Sequence, residues 1–256
     1  MSREHEPLPL DPEKLEKLMR DRFERPLPKR FYKAVTVMET DGEFGIALDG
    51  RALRTPLKAP LKLSLRKLAE AIAQEWESQL EVINPARMPL TKLANTTIDR
   101  VSPERPRILA EIHGFAAADL LFYRAEAPEG LVALENRHWN PVLEWAAGLG
   151  ARFVTVQGIR HQSQPEAALA AFARHLESFP DAALCAIHNL SSLTGSALLA
   201  VALASGTLGP QAVWDAAHVD EDWQVSQWGE DAEASARRAA RRREFDAIVA
   251  YLELSR

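Results

Sequence analysis

Cysteine is almost missing from this sequence. A single thiol, Cys185, stands among 256 residues, so no disulfide can form within the chain. Its neighbours Ala182, Ala183, Leu184, Ala186 and Ile187 mark it as a small buried hydrophobe in a reducing compartment. The seven histidines (His5, His113, His138, His161, His175, His188 and His218) show no pair at metal-ligand spacing and have no cysteine companions, which argues against a zinc site. No glycine-rich phosphate loop is present. Gly42, Gly45 and Gly50 lie in hairpins, and Gly206-Thr207-Leu208-Gly209-Pro210 reads as a helix stop before a new helix. No metal or nucleotide cofactor is expected.

Charge of one sign is not in large surplus either. Thirty-one basic residues against 36 acidic ones leave a net charge of -5, which gives solubility without a field that would draw nucleic acid or an anionic membrane. Long apolar runs are absent too. The most apolar stretch, 182–203, is interrupted by His188, Asn189, Ser191, Ser192, Thr194, Gly195 and Ser196, and suits a buried helix pair better than a membrane span. Near the N-terminus, Glu4, Glu6, Asp11 and Glu13 replace the apolar or arginine-rich pattern of a leader, so a bacterial cytoplasmic protein, or a trimmed mature form, is expected.

What remains is 46% apolar and 26% charged residues, enough for one real core or two modest ones. Residues 1–30 read as a polar arm with a short helix capped at Asp11-Pro12, its face made by Leu15, Leu18, Met19 and Phe23, and ended by Pro26 and Pro28. Strand-like runs follow over 31–38, 44–48 and 52–54. Asp41-Gly42 and Asp49-Gly50 connect them as tight hairpin turns, giving a β-meander. Ser64 is placed to cap a long helix whose Leu65, Leu68, Ala69, Ile72, Ala73, Trp76 and Leu80 share one face, with Glu70, Gln74, Glu75 and Glu77 on the solvated side. A loop over 84–89 leads to 90–101, the start of the crossing to a second domain.

Beyond Ser102-Pro103, with proline at the first helical position, the strong signals are helical. Apolar stripes run through Ile108, Leu109, Ile112, Phe115 and Ala116, through Leu169, Phe172 and Leu176, and through Phe245, Ile248, Val249 and Leu252. Pro141 is expected to split or kink its helix between Trp139 and Val142. Residues 153–156 form the one extended-looking insertion. The fold class is therefore α+β: an arm over 1–30, a β-meander and helix domain over 31–101, and a helical bundle over 102–256.

Chemistry is scarce. The hydroxyl-rich run 191–196 reads as a close helix contact or, with a partnering base, as a nucleophile site. A cleft enzyme would draw on Glu221 or Asp99 with His138. Arg237, Arg238, Arg241, Arg242 and Arg243 form a basic run that is either a solvated helix neutralised by its neighbour or a nucleic-acid adaptor. That neighbour, 219–229, interleaves Asp220, Glu221 and Asp222 with Trp223, Val225 and Trp228 at helical spacing. Tryptophans beside carboxylates suit a docking surface, and suit a core equally well.

Several segments in fixed order carry a resemblance. They are Arg30-Phe31-Tyr32, the run 48–56 (Leu-Asp-Gly-Arg-Ala-Leu-Arg-Thr-Pro), Glu75-Trp76-Glu77, the run 88–99 (Met-Pro-Leu-Thr-Lys-Leu-Ala-Asn-Thr-Thr-Ile-Asp), 119–124 (Asp-Leu-Leu-Phe-Tyr-Arg), 139–145 (Trp-Asn-Pro-Val-Leu-Glu-Trp) and the acidic segment ending in Trp228-Gly229. Together the chain resembles the assembly-chaperone family that binds the alpha subunit of the ATP synthase catalytic head, known in mitochondria as F1 complex assembly factor 2. Asn140 and the arginine run depart from that family's pattern. The resemblance implies an N-terminal α+β domain, a C-terminal helical domain, no cofactor, no catalytic residue, and the free alpha subunit as partner. It also implies a partner surface at Glu221, with Asp220, Asp222, Trp223 and Trp228 around it. Trp76, flanked by Glu75 and Glu77, is a second candidate, although its place on the apolar stripe favours a structural role.

Overall fold

The computed structural model describes residues 26–158 and 160–256. The arm helix expected over 11–23 lies outside the described residues. Strands β1 (Val35–Thr40), β2 (Glu43–Leu48) and β3 (Arg51–Ala52) form an antiparallel meander in that order. The register pairs Val35 with Leu48 and Thr40 with Glu43. Both turns are the expected Asp-Gly pairs. Asp41 (φ 55°) and Gly42 (φ 78°), like Asp49 (φ 49°) and Gly50 (φ 78°), take the left-handed conformation that a twist-matched two-residue hairpin demands. The Asp49 carboxylate also accepts the backbone N–H groups of Lys33 and Ala34, which fixes the entry of β1.

Helix α1 (Arg66–Glu77) buries Leu68, Ala69 and Ile72 on the sheet, where Ile46 and Ala47 are fully enclosed. Three sequence expectations change here. The N-cap is Leu65, without a side-chain bond, so Ser64 caps nothing. The helix stops at Glu77, and Leu80 is 77% exposed instead of completing the apolar stripe. Glu75 is not on a solvated side. Its carboxylate accepts the backbone N–H groups of Leu90 and Thr91, at 2.7 and 2.8 Å, and the Thr91 hydroxyl. These amides open α2 (Pro89–Thr96), so a residue late in one helix caps the start of the next. Desolvation raises the Glu75 carboxyl above its ordinary value, and those three bonds oppose the rise.

From α2 the chain widens into one π-turn, Thr97–Val101, and then enters α3 (Arg105–Ala117). The proline in the first turn of α3 is Pro106, not Pro103, because the backbone at 102–104 is still turning. After a 3₁₀ turn (Leu120–Phe122) and β4 (Tyr123–Arg124), α4 runs unbroken from Glu129 to Gly148. Pro141 sits inside α4 without splitting it; the lost bond falls on the carbonyl of Arg137, an exposed residue that water can serve. The extended insertion narrows to β5 (Val156–Gln157), which pairs parallel with β4.

The remaining helices are α5 (Glu166–Glu177), α6 (Asp181–Thr194), α7 (Ala197–Ala204), α8 (Pro210–Ala217), α9 (Val219–Trp228) and α10 (Ala232–Leu254). The pair α6–α7 is the centre of the bundle, and every residue of α7 is buried. Gly195 (φ 73°) and the Ser196 side chain, which accepts the Leu199 N–H, make the sharp corner between them. The hydroxyl-rich run is thereby accounted for as helix contact, since Ser191 and Thr194 donate to the carbonyls of Ile187 and Leu190. Cys185 is fully buried, and desolvation pushes its thiol up to about 11. One contiguous apolar core extends from Ile46 in the sheet to Leu252 near the C-terminus.

Candidate functional site

The acidic segment is helix α9, packed against α4. Asp220, Glu221 and Asp222 fill its first turn, where the helix dipole favours negative charge. The two tryptophans divide. Trp223 turns inward against α4, so close that a Cβ on Gly130 would lie 2.6 Å from its ring. Trp228 is 79% exposed at the helix end, just before Gly229 (φ 84°) turns the chain. Helical spacing alone could not separate these fates, because it does not say on which side α4 lies.

The carboxylates are not free. Glu221 accepts from Arg241 at 3.3 Å, and Asp222 pairs with Arg238. On α10 itself, Arg237 and Arg242 pair with Glu233 and Asp246. Four of the five arginines of the basic run are therefore neutralised by neighbours, as the solvated-helix alternative expected. Between α9 and α10 lies an open cleft of about 420 Å³ that includes Glu221, Trp228, Arg238 and Arg241. Beneath it, buried His218 donates Nδ1–H to the Trp214 carbonyl at 2.7 Å and stacks on the Trp214 ring at 3.9 Å. Its Nε2 is 4.0 Å from Glu221, and burial holds the imidazole below its ordinary pKa, so the ring is neutral there. Asp220 lies apart from the arginines, and desolvation raises its carboxyl.

Trp76 is elsewhere. It is half-buried, packs on Tyr32 at 5.7 Å between ring centroids, and its carbonyl accepts the Tyr32 hydroxyl at 2.7 Å. Its indole N–H is buried with no acceptor among the described residues, beside a cavity of about 540 Å³ that also holds Met88. The acid-base constellation is not assembled. Asp99 accepts from the Thr55 hydroxyl at 2.6 Å and from the Leu57 N–H, and no hydrogen bond links His138 to Asp99 or Glu221 among the described residues. No cluster of metal-ligating side chains occurs among the described residues, and none of their helices is long and apolar enough to cross a membrane.

Sequence reasoning missed an apolar ribbon. Residues 28–30 pair antiparallel with 81–83: the Pro28 carbonyl accepts the Ile83 N–H, and Lys29 faces Val82. Two-residue periodicity then puts Leu27, Phe31, Leu80 and Val82 on one face together with Lys29, with Phe31 72% exposed. The signal lay in Leu80 and Val82 alternating with Glu81, which the helical reading of the stripe had absorbed.

Comparison with known proteins follows the same geometry. The family model of the ATP12 chaperone protein matches residues 29–147, from the ribbon through α4. A solved chaperone candidate of Agrobacterium tumefaciens is 45% identical, with a TM-score of 0.86, covering 98% of this chain and 93% of its own. Atp12 of Paracoccus denitrificans is 35% identical with a TM-score of 0.84, covering 90% of this chain and 99% of its own. The mitochondrial protein atp12 of Schizosaccharomyces pombe is 27% identical over 224 residues, 80% of this chain and 76% of its own. The α+β meander, the helical bundle and these similarities over nearly the whole length agree, and the chain belongs to the ATP12 chaperone family.

Proposed function

We propose that this protein holds the free alpha subunit of the F-type ATP synthase catalytic head and masks its beta-facing surface until handover. Membership of the ATP12 family carries the coarser part, a chaperone of ATP synthase assembly. An unassembled subunit exposes an apolar face that aggregates unless covered. Covering and releasing it needs no bond-making. If the chaperone and the beta subunit compete for one face, and the beta contact is the tighter, mass action drives the transfer.

The observation that carries the reading is Trp228: a tryptophan 79% exposed on an acidic helix, with half-exposed Glu221 and Asp222 on the same helix. A tryptophan buries about 200 Å², worth about 5 kcal/mol of apolar transfer before ordering is offset. A charged rim around such an anchor steers the encounter. Trp223 supports α9 from behind by packing on Gly130 of α4, Asp220 stands in the acidic first turn of α9, and Trp76 belongs to a separate surface. The test is capture of purified alpha subunit by Trp228→Ser. Capture should weaken about tenfold with melting unchanged, because that side chain is 79% exposed and contributes little to the core. Undiminished capture would remove α9 from the contact.

A further inference from the structure

We propose that the trough crossing α2 is a docking surface for an acidic, apolar segment of a protein partner. The trough has a volume of about 780 Å³ and lies between the 3₁₀ turn Pro85–Arg87, α2 and α10. Its floor includes Leu93 and Ile248, both buried members of the core, so the apolar surface there is rigid. Its rim carries Arg87, Lys92 and Arg243, all exposed. None of these three has a carboxylate partner among the described residues, whereas Arg237, Arg238, Arg241 and Arg242 of the same basic run all do. Glu244 is the one acidic residue along the lining, which leaves a local excess of positive charge on a chain of net charge -5.

Charge complementarity identifies the occupant. Three unpaired cations on three separate elements, over an apolar floor, call for carboxylates spread along an extended or helical backbone with apolar side chains between them. A second cavity of about 540 Å³ shares Pro85, Lys92 and Thr96 with the trough and continues it to Met88 and Trp76. The joined length suits a polypeptide segment better than a single small anion. Methionine and a half-buried tryptophan at the far end supply an adaptable apolar stop. The surface is separate from α9 and does not depend on which subunit the protein holds.

The experiment uses the full chain and a fluorescein-labelled 12-residue peptide in which glutamates flank leucines, followed by anisotropy. Binding should weaken about tenfold or more in the triple variant R87E/K92E/R243E and on raising salt from about 0.05 to about 0.5 M. Arg174→Glu, the same single-residue charge reversal at an exposed residue that does not line the trough, should leave it unchanged, and a peptide with lysine in place of glutamate should not bind. All three substituted residues are exposed, so melting should match the wild type; if the triple variant does not fold, Arg243→Gln alone should weaken binding about threefold. Equal affinity in wild type and variant, or equal affinity for the lysine peptide, overturns the proposal. Binding seen only after residues 1–25 are removed also overturns it, and assigns the trough to this chain's own leading segment with Glu4, Glu6, Asp11 and Glu13.

Discussion

At the scale of single residues, the most consequential group is one that no function uses. Asp119 is fully buried, and its carboxylate accepts the N–H groups of Leu121 and Leu198 at 3.1 and 3.0 Å, tying the turn before β4 to the start of α7. Desolvation outweighs these bonds and raises its pKa from 3.8 to about 6. Because the folded value lies above the unfolded one, the folded state holds the proton more tightly. The contribution is fully present below about pH 4 and is lost as pH rises through about 6, a swing of about 3 kcal/mol. Melting followed from pH 4 to 7 should show this loss, and Asp119→Asn should flatten that part of the profile; an unchanged profile would mean that the carboxyl titrates normally. Glu221 is also more constrained than its sequence implies. Glu221→Lys would set a third cation beside Arg241 and Arg238, so a small destabilisation of about 1 kcal/mol or less, relieved by salt, should accompany any loss of capture. Trp228→Ser is for that reason the cleaner probe of the surface.

At the scale of elements, two junctions position the surfaces. Glu75 joins α1 to α2, and α2 forms one wall of the trough. Glu75→Ala would leave two helix-opening amides without acceptors and should cost about 2–4 kcal/mol in denaturant unfolding. A loss below about 0.5 kcal/mol would show that water replaces the carboxylate. The second junction is Gly130 with Trp223. Gly130→Ala should displace the ring and loosen α9 from α4, seen as faster amide exchange over 219–228 with the rest of the bundle protected.

These junctions also mark what the sequence could and could not reveal. The hairpins were legible because Asp-Gly carries its own turn chemistry, and α3, α5 and α10 because their stripes repeat at helical spacing. The bond from Glu75 to the amides of Leu90 and Thr91 was not legible, since it depends on how two helices meet across a loop. The ribbon was hidden for the same reason, because short partners about 50 residues apart leave no periodic signal. Pro141 misled in the other direction: local propensity says break, yet Trp139 and Val142 are buried on either side and packing holds the helix together.

At the scale of the whole molecule, a core continuous from sheet to bundle presents three distinct faces: the acidic helix with Trp228, the apolar ribbon, and the basic trough. Only the first was readable as a candidate from residues 219–229, and the match to the family model, which covers residues 29–147, does not reach it. The proposed function is equilibrium masking of one unassembled subunit. The most direct measurement is co-expression with the cognate alpha and beta subunits, followed by affinity capture through this chain. Masking predicts a complex with alpha alone that disappears when beta is supplied in excess. A complex that persists with both subunits together, or capture of beta alone, would contradict it.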